Sequence, residues 1–144
     1  MTSVNRWVVA DEQHAAMYLG VLLNQVRLTF AAEDWKGLRQ SHFRVLFSVP
    51  AEGVSITELA ERVGMTKQGC GQFVSQLTDE GYLTQAADPR DRRARVVRRT
   101  AAGRRMVIRV TARNLQIEQQ WADEVGADRY AVFRSVLHQL ASLE

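Results

Sequence analysis

The sequence predicts a mostly α-helical protein with one small β-hairpin that follows two short helices. Three observations lead to this fold class. Apolar residues recur at helical spacing over most of the 144 residues. Two segments with helix-capping signals, Ser55–Gly64 and Thr66–Gly81, lie next to each other. An arginine-rich turn, Asp88–Arg95, then separates two short runs of the kind that form strands.

The first third of the chain predicts two helices joined by a segment of ambiguous pattern. The first helix covers about residues 11–31, with Asp11 as its candidate N-cap. Its apolar side is formed by Leu19, Leu22, Leu23, Val26 and Phe30. Residues 33–40 fit either a loop or one further helical turn. Ser41 is then placed to cap a short helix that Pro50 ends.

Two short helices with matching end signals follow. Ser55 and Glu58 have the spacing of a capping box, and Gly64 suits the left-handed residue after a helix. Only one residue separates that glycine from Thr66, which is placed to cap a second helix running to about Glu80. Because the turn is short and contains glycine, the pair predicts a helix-turn-helix.

The segment Asp88–Arg95 predicts a hairpin with arginines at its tip. Its flanks, Tyr82–Gln85 and Arg95–Arg98, are the two predicted strands. Proline restricts the backbone angle φ, and an aspartate side chain can bond the backbone beyond it, which favours a turn. An arginine at such a tip can enter a DNA minor groove, whose negative potential attracts a guanidinium group. Taken by itself, the segment also fits a solvated basic loop.

The last third of the chain predicts two helices. Thr100 opens a long helix, and Gly126 separates it from a final one. The long helix carries Met106, Val110, Ile117 and Trp121 at helical spacing. The final helix carries Val132, Phe133, Val136, Leu137, Leu140 and Leu143. This is more apolar surface than the end of a small domain needs, which favours an interface with a second copy of the chain.

Basic charge is concentrated in one part of the chain. The net charge is +3, but residues 86–113 contain ten arginines and only two aspartates. Residues 1–85 sum to −2 and residues 114–144 to −3. This distribution predicts a local contact with a polyanion. The single cysteine excludes an internal disulfide framework and favours a cytoplasmic protein, and no apolar run is long enough for a membrane span.

The helix after Thr66 has an apolar side and a polar side. At about 100° per residue the apolar side contains Cys70, Phe73, Val74 and Leu77. The opposite, outward side contains Gln68, Gln72, Ser75 and Asp79, and it is flanked by Lys67, Gly71 and Gln76. Glutamine can bond an adenine edge, and lysine can reach guanine or phosphate, so this side can contact a major groove. A solvated polar face is the usual alternative, but the adjacent capped helix and arginine-tipped hairpin favour DNA.

Together these motifs resemble the MarR family of bacterial transcription regulators, from about Leu19 to Leu140. The most specific part runs from Leu59 to Arg104. It contains the helix-turn-helix and Asp88-Pro89-Arg90, which matches the D-x-R motif of the family's wing. The resemblance implies a winged helix-turn-helix protein that forms a homodimer on a pseudo-palindromic operator in double-stranded DNA. It also implies a repressor that a small-molecule effector releases.

The resemblance further implies one MarR-like domain over residues 1–144. The winged helix-turn-helix occupies about residues 41–100, and the terminal dimerisation helices lie at about residues 11–31 and 101–144. The expected fold is therefore mostly α with a small β-hairpin wing.

Candidate site residues follow from the pattern and the resemblance together. Arg90 is the expected minor-groove arginine, with Asp88 and Asp91 orienting arginines around the tip. The DNA-binding set is Thr66, Lys67, Gln68, Gly71, Gln72, Ser75, Asp88, Arg90, Arg92 and Arg93. Candidates for a pocket that binds a small aromatic or apolar effector are Met17, Tyr18, Trp35, His42 and Phe43. Each of these five also fits ordinary core packing. Family members often carry Ser or Thr where this chain has Gly69 and Gly71, so hydroxyl contacts are missing there.

No catalytic or metal chemistry is predicted. His14, His42 and His138 are widely separated, and no cluster of potential ligands has metal-site spacing. Nucleotide-binding and hydrolase motifs are absent, so neither an enzyme nor a cofactor is expected. The alternative function is a winged-helix module that binds RNA or a protein partner without sensing an effector. A protein-binding module would not need ten arginines in and after the hairpin.

Overall fold

The computed structural model describes residues 13–143, which form helices and one small antiparallel sheet. The helices are α1 (Ala15–Ala31), α2 (Gln40–Phe47), α3 (Ile56–Val63), α4 (Lys67–Asp79), α5 (Ala101–Val125) and α6 (Ala127–Ala141). The strands are β1 (Val54–Ser55), β2 (Leu83–Asp88) and β3 (Asp91–Arg99). The predicted fold class, mostly α with a small hairpin wing, is confirmed. The chain divides into two compact units between Arg104 and Arg105.

His14 is the N-cap of α1. Its Nδ1 accepts a hydrogen bond from the Met17 N–H at 3.2 Å, which satisfies one free amide of the first turn. Val26 and Phe30 are the buried residues of this helix. The predicted cap, Asp11, lies outside the described residues.

The start of α2 differs from the prediction. Residues 33–39 form turns and loop, so the ambiguous segment is not a further helical turn. The N-cap is Arg39 and not Ser41. The Arg39 N–H donates to His42 Nδ1 at 3.0 Å. Because a side chain inside the first turn satisfies the free amide at the cap, α2 begins at Gln40 without a capping hydroxyl.

The two short helices α3 and α4 have the predicted caps. Ser55 Oγ and Thr66 Oγ1 each accept a hydrogen bond from the backbone N–H three residues later, at 3.1 Å and 3.0 Å. Between the helices, Gly64 has a φ of 67°, the left-handed conformation that ends a helix. The Glu58 carboxylate pairs with Arg62 at 2.7 Å and does not close the predicted capping box.

The hairpin is longer than predicted and belongs to a three-stranded sheet. β2 and β3 pair antiparallel from Leu83 opposite Arg99 to Asp88 beside the turn. β1 pairs with β3 through Val54 and Val97, which gives the strand order β1-β3-β2. A strand of two residues has no measurable periodicity, so sequence reasoning missed it.

The core of the first unit lies where α2, α3, α4 and the sheet meet. Its fully buried side chains are Val45, Leu46, Val49, Leu59, Cys70, Val74, Leu77, Leu83 and Val97. Burial raises the pKa of the Cys70 thiol, which keeps the sulfur protonated and unreactive. Three of the four predicted core residues of α4 are thus fully buried, and Phe73 is half-buried.

The base of the hairpin is bonded to helices on two sides. Arg99 donates from Nε to the Leu46 carbonyl oxygen at 3.0 Å and from Nη2 to that of Phe47 at 2.8 Å. Its guanidinium group therefore caps the carboxyl end of α2. Thr100 Oγ1 donates to the Gly81 carbonyl oxygen at 2.6 Å and caps α5 by accepting from the N–H three residues later at 3.0 Å. These bonds hold the hairpin against α2 and the turn after α4.

The second unit contains most of α5 and all of α6. The helices are separated at Gly126, as predicted, where φ is 93°. The Tyr130 hydroxyl donates to Glu118 Oε1 at 2.7 Å, and Arg134 Nε lies 3.2 Å from the same oxygen. Burial and the bond to Glu118 raise the pKa of Tyr130 to about 12. Four apolar side chains at this end of the chain are exposed: Val132, Val136, Leu140 and Leu143.

Candidate functional site

The outward side of α4 is exposed, as its pattern predicts. Its exposed residues are Lys67, Gln68, Gln72, Ser75, Gln76 and Asp79, beside the exposed cap Thr66. A Cβ added at Gly71 would meet no atom within 4 Å, so internal packing does not require a glycine there. A Cβ at Gly69 would lie 3.0 Å from the Thr66 hydroxyl oxygen, so this glycine leaves room for the cap. The open space at Gly71 lets another molecule approach the helix closely.

The tip of the wing has an ordered backbone and free arginine side chains. Asp88 Oδ1 accepts from the Arg90 N–H at 2.9 Å, and Asp91 Oδ1 accepts from the Arg93 N–H at 3.0 Å. The carboxylates therefore bond the backbone that carries the arginines and not the guanidinium groups. The side chains of Arg90, Arg92 and Arg93 are exposed, and none of them bonds another residue between positions 13 and 143.

A basic cleft joins the start of α4 to the wing. Its volume is about 260 Å³, and it is lined by Ser55, Ile56, Thr57, Lys67, Asp91, Arg93, Ala94 and Arg95. Three cationic side chains and one carboxylate border it, so its potential is positive. Because Lys67 belongs to α4 and Arg93 and Arg95 belong to β3, the outward side of α4 and the wing meet at one basic surface.

The five candidate effector residues do not form one cluster. Trp35 and Phe43 are buried and pack edge to face, with ring centroids 5.6 Å apart. Phe30 contacts both rings, at 4.9 Å and 5.9 Å. Tyr18 is 40% exposed, and Met17 is half-buried. The aromatic cluster therefore comprises Phe30, Trp35 and Phe43.

His42 is buried and bonded on both sides. Nδ1 accepts from the Arg39 N–H at 3.0 Å, so in the neutral ring the proton lies on Nε2, which is 2.7 Å from Gln76 Oε1. The Phe73 ring meets the imidazole edge to face at 5.0 Å. His42 thus connects the start of α2 to α4.

A cavity of about 460 Å³ lies beside the aromatic cluster. It is lined by Arg27, Phe30, Ala31, Leu38, Arg39, Gln40, Ser41, Phe43 and Phe73. Three aromatic rings and two arginines in one wall suit a small aromatic molecule that carries negative charge. Of the five candidate effector residues, only Phe43 lines this cavity.

Comparisons with known proteins find similarity to one family. A family model described as the MarR family matches residues 36–94, the segment that holds α2 to α4 and most of the wing. The PcaV transcriptional regulator from Streptomyces coelicolor, solved in complex with its natural ligand, is 26% identical. The two structures superpose with a TM-score of 0.70 over 93% of this chain and 96% of that chain. The segment 36–94 is therefore similar to the MarR family, and the structure resembles regulators of that type.

Two further structures show the same MarR-type fold at lower identity. MarR superposes with a TM-score of 0.83 at 19% identity, over 93% of this chain and 92% of that chain. The transcriptional repressor CouR, bound to a 23-mer DNA duplex, has a TM-score of 0.71 at 22% identity, over 89% of this chain and 92% of that chain. No curated protein sequence matches this chain.

Sequence reasoning missed several residues at the candidate sites. Arg27 lies one helical turn before Phe30, and that spacing was the available signal for its place beside the cavity. Arg39 reaches the same cavity only through the turns of residues 33–39. Gln76 was placed at the edge of the outward side of α4, and its bond to His42 spans 34 positions in sequence.

Two other kinds of feature are absent from residues 13–143. None of the helices there combines the length and apolar character that a membrane crossing requires. The same residues contain no group of three or more His, Cys, Asp or Glu side chains suited to holding a metal ion.

Proposed function

We propose that this protein is a sequence-specific transcription regulator that binds double-stranded DNA as a homodimer. It acts as a repressor that a small-molecule effector releases. The observation that carries the proposal is the basic cleft in which Lys67 of α4 meets Arg93 and Arg95 of the wing. Because a helix that can read a groove and a hairpin that can follow phosphates share one surface, a single duplex contacts both. The proposal assigns the protein no catalytic role and locates it in the cytoplasm, where a bacterial chromosome is accessible.

The proposed DNA contacts divide by chemistry. Gln68 and Gln72 read base edges in the major groove, and Gly71 allows their helix to approach closely. Thr66 and Lys67 contact phosphate, and Arg90 enters the minor groove. The full proposed set is Thr66, Lys67, Gln68, Gly71, Gln72, Ser75, Asp88, Arg90, Arg92 and Arg93.

Similarity to CouR supports a duplex as the partner, since CouR is a repressor solved on duplex DNA. The free guanidinium groups at the wing tip also support it, because they are exposed and have no partner in the described part of the chain. A module that binds RNA or protein remains the alternative, and no feature of the described residues favours it over duplex DNA.

The homodimer proposal rests on the exposed apolar side chains of α6. Val132 is 65% exposed, Val136 47% and Leu140 59%. A second copy of the chain would remove this surface from water, with further contributions from about residues 11–31 and 101–125. Two-fold symmetry then places the half-sites about 10 base pairs apart, or a multiple of that distance. Leu140→Glu should give monomers by sedimentation velocity, and a monomeric parent protein at micromolar concentration would refute the proposal.

The proposed effector is a small aromatic anion that binds in the 460 Å³ cavity. Arg27 and Arg39 would hold its negative group, and Phe30, Phe43 and Phe73 would contact its ring. The natural ligand of PcaV supports a ligand-binding function in this fold. In this proposal Trp35 and His42 support the wall, while Met17 and Tyr18 do not border the cavity.

Selection of bound duplexes from a random pool tests the function. We expect enrichment of one pseudo-palindromic sequence, with an affinity that falls steeply as salt rises because phosphate contacts release counterions. Structured RNA of equal length serves as the competitor. Equal binding of RNA and duplex, without enrichment of any sequence, would favour the alternative function.

The proposed effector class is tested by adding a series of aromatic carboxylates, beginning with benzoate, to the protein bound to the selected duplex. The ring centroid of Trp35 lies 4.9 Å from that of Phe30 in the cavity wall, so the fluorescence of Trp35 should report binding. Arg39→Gln should weaken the binding of any active compound, and Arg129→Gln, at an exposed position of α6, is the matched control. If no compound in the series releases the duplex, the proposed effector class is wrong.

A further inference from the structure

His42 is the one buried polar side chain within the described residues, at 5% exposure. A buried imidazole is costly unless its nitrogens are hydrogen-bonded. Both nitrogens of His42 are engaged, so its position depends on two partners at once. One partner is the backbone at the start of α2 and the other is a side chain of α4. The position of the ring therefore depends on how these two elements are arranged.

The first partner belongs to the wall of the cavity. His42 Nδ1 accepts a hydrogen bond from the Arg39 N–H at 3.0 Å, at the N-cap of α2. Arg39 and the next residue, Gln40, both line the cavity. A molecule that moves this part of the wall also moves the donor that positions the imidazole ring.

The second partner belongs to the proposed DNA-reading helix. Gln76 Oε1 lies 2.7 Å from His42 Nε2, and Gln76 is one helical turn after Gln72 on α4. Phe73, also on α4, packs edge to face against the imidazole at 5.0 Å and lines the cavity as well. His42 therefore holds α4 through a hydrogen bond and through a ring that borders the cavity.

We propose that His42 is the positioning residue through which filling of the cavity changes the orientation of α4. The inference rests on the proposed function, because it requires α4 to bind DNA and the cavity to bind an effector. A molecule lodged between Arg39 and Phe73 displaces at least one of them. The ring cannot keep both hydrogen bonds when its two supports move apart, so the bond to Gln76 breaks or pulls α4 with it. Either outcome changes the angle at which α4 meets a groove.

The cavity can be filled without knowledge of its natural occupant. Ser41 lines the cavity, and the single cysteine of the chain, Cys70, is fully buried. Ser41→Cys therefore supplies one reachable thiol. Benzyl methanethiosulfonate attaches a phenyl ring to that thiol and so occupies the cavity.

The first measurement is the dissociation constant of the selected duplex with and without this label. It is made for Ser41→Cys alone, for Ser41→Cys with Gln76→Met, and for Ser41→Cys with Gln25→Met. Gln25 is exposed on α1, so it provides the same replacement away from His42. The label should weaken binding about tenfold in the first and third proteins and less than about twofold in the second. Equal weakening in all three proteins, or weakening in none, overturns the inference.

The second measurement needs no DNA. The proton on His42 Nε2 is hydrogen-bonded to Gln76, so its NMR resonance reports the bond directly. We expect this resonance to shift or disappear when Ser41→Cys is labelled and to be altered already in Gln76→Met. An unchanged resonance after labelling overturns the role of His42, regardless of how the label changes the affinity for the duplex. A shifted resonance in a protein that selects no duplex overturns the proposed function instead.

Discussion

The base and the tip of the wing carry the same type of residue and use it in opposite ways. At the base, Arg99 donates to the carbonyl oxygens of Leu46 and Phe47 at 3.0 Å and 2.8 Å, and desolvation lowers its pKa. At the tip, Arg90 and Arg93 are exposed, and their guanidinium groups bond no other residue in the described part of the chain. Arginine at the base therefore stabilises the fold, whereas arginine at the tip is available to a partner. The number of arginines in this segment is therefore larger than the number available to bind a partner.

The largest effect is expected just beyond the base, at Gly103. A Cβ added there would overlap the backbone carbonyl of Tyr82, which cannot move aside as a flexible side chain can. We expect Gly103→Ala to lower the free energy of unfolding by about 3 kcal/mol or more, measured by urea denaturation. Gly20→Ala is the control, because a Cβ at that helical glycine meets no atom within 4 Å. In this control the free energy of unfolding should rise by up to about 1 kcal/mol. Similar stabilities for the two variants would show that the base is not tightly packed.

Arg99→Met should lower the free energy of unfolding by about 2 kcal/mol. The variant loses two charge-assisted hydrogen bonds to the end of α2, and such bonds contribute about 1.5–3 kcal/mol where they are well shielded. The exposed neighbour Arg98 provides the matched control, and Arg98→Met should change stability by less than about 0.5 kcal/mol. If Arg99→Met is as stable as the control, the two regions of the wing do not differ in the way proposed.

Arg90→Ala should weaken DNA binding without lowering stability, whereas Arg99→Met should lower stability. We expect duplex binding to weaken by on the order of 1–3 kcal/mol, while the thermal midpoint stays at the parent value. Arg105→Ala, at an exposed position of the same arginine-rich segment, should weaken binding less. If the Arg90→Ala protein is normally stable and binds the duplex with unchanged affinity at physiological salt, Arg90 does not belong to the DNA interface.

The smallest effects are expected on α4 at Gln68 and Gln72, whose side chains, unlike that of Gln76, bond no other residue in the described part of the chain. Gln68→Ala and Gln72→Ala should each cost about 1 kcal/mol of discrimination between the selected duplex and a scrambled one. Lys67→Ala should weaken binding to both duplexes alike and reduce the salt slope by about 1. If the glutamine variants keep full discrimination, α4 does not read bases through these side chains.

The features that could be predicted from the sequence depend on neighbours within one helical turn. Ser55, Thr66 and Thr100 cap helices through the backbone N–H three residues later, so spacing alone predicts the bond. The predicted cap at Ser41 was wrong for a related reason. The His42 ring satisfies the free amide of Arg39, and a hydroxyl cap is then unnecessary.

The candidate sites were only partly predictable. Exposure of the wing tip and of the outward side of α4 follows from a polar pattern, and the structure agrees with both expectations. The effector pocket predicted among Met17, Tyr18, Trp35, His42 and Phe43 stays a prediction. The 460 Å³ cavity is lined by Phe43 of that set, together with Arg27 and Arg39, which were not predicted from the sequence. Residues from α1, the following turns, α2 and α4 meet there, and no local spacing encodes such a meeting.

The sequence by itself determined the order of the elements, the ends of most helices and the side of each helix that faces water. These features arise from the chemistry of residues three or four positions apart, which every chain of this pattern shares. Only the tertiary structure decided which arginines support the fold, which remain free, and which side chains surround the cavity. Those assignments depend on bonds such as His42 to Gln76, 34 positions apart, and Arg99 to Leu46, 53 positions apart. Such bonds form only after the core has packed and brought distant backbone groups within hydrogen-bonding distance.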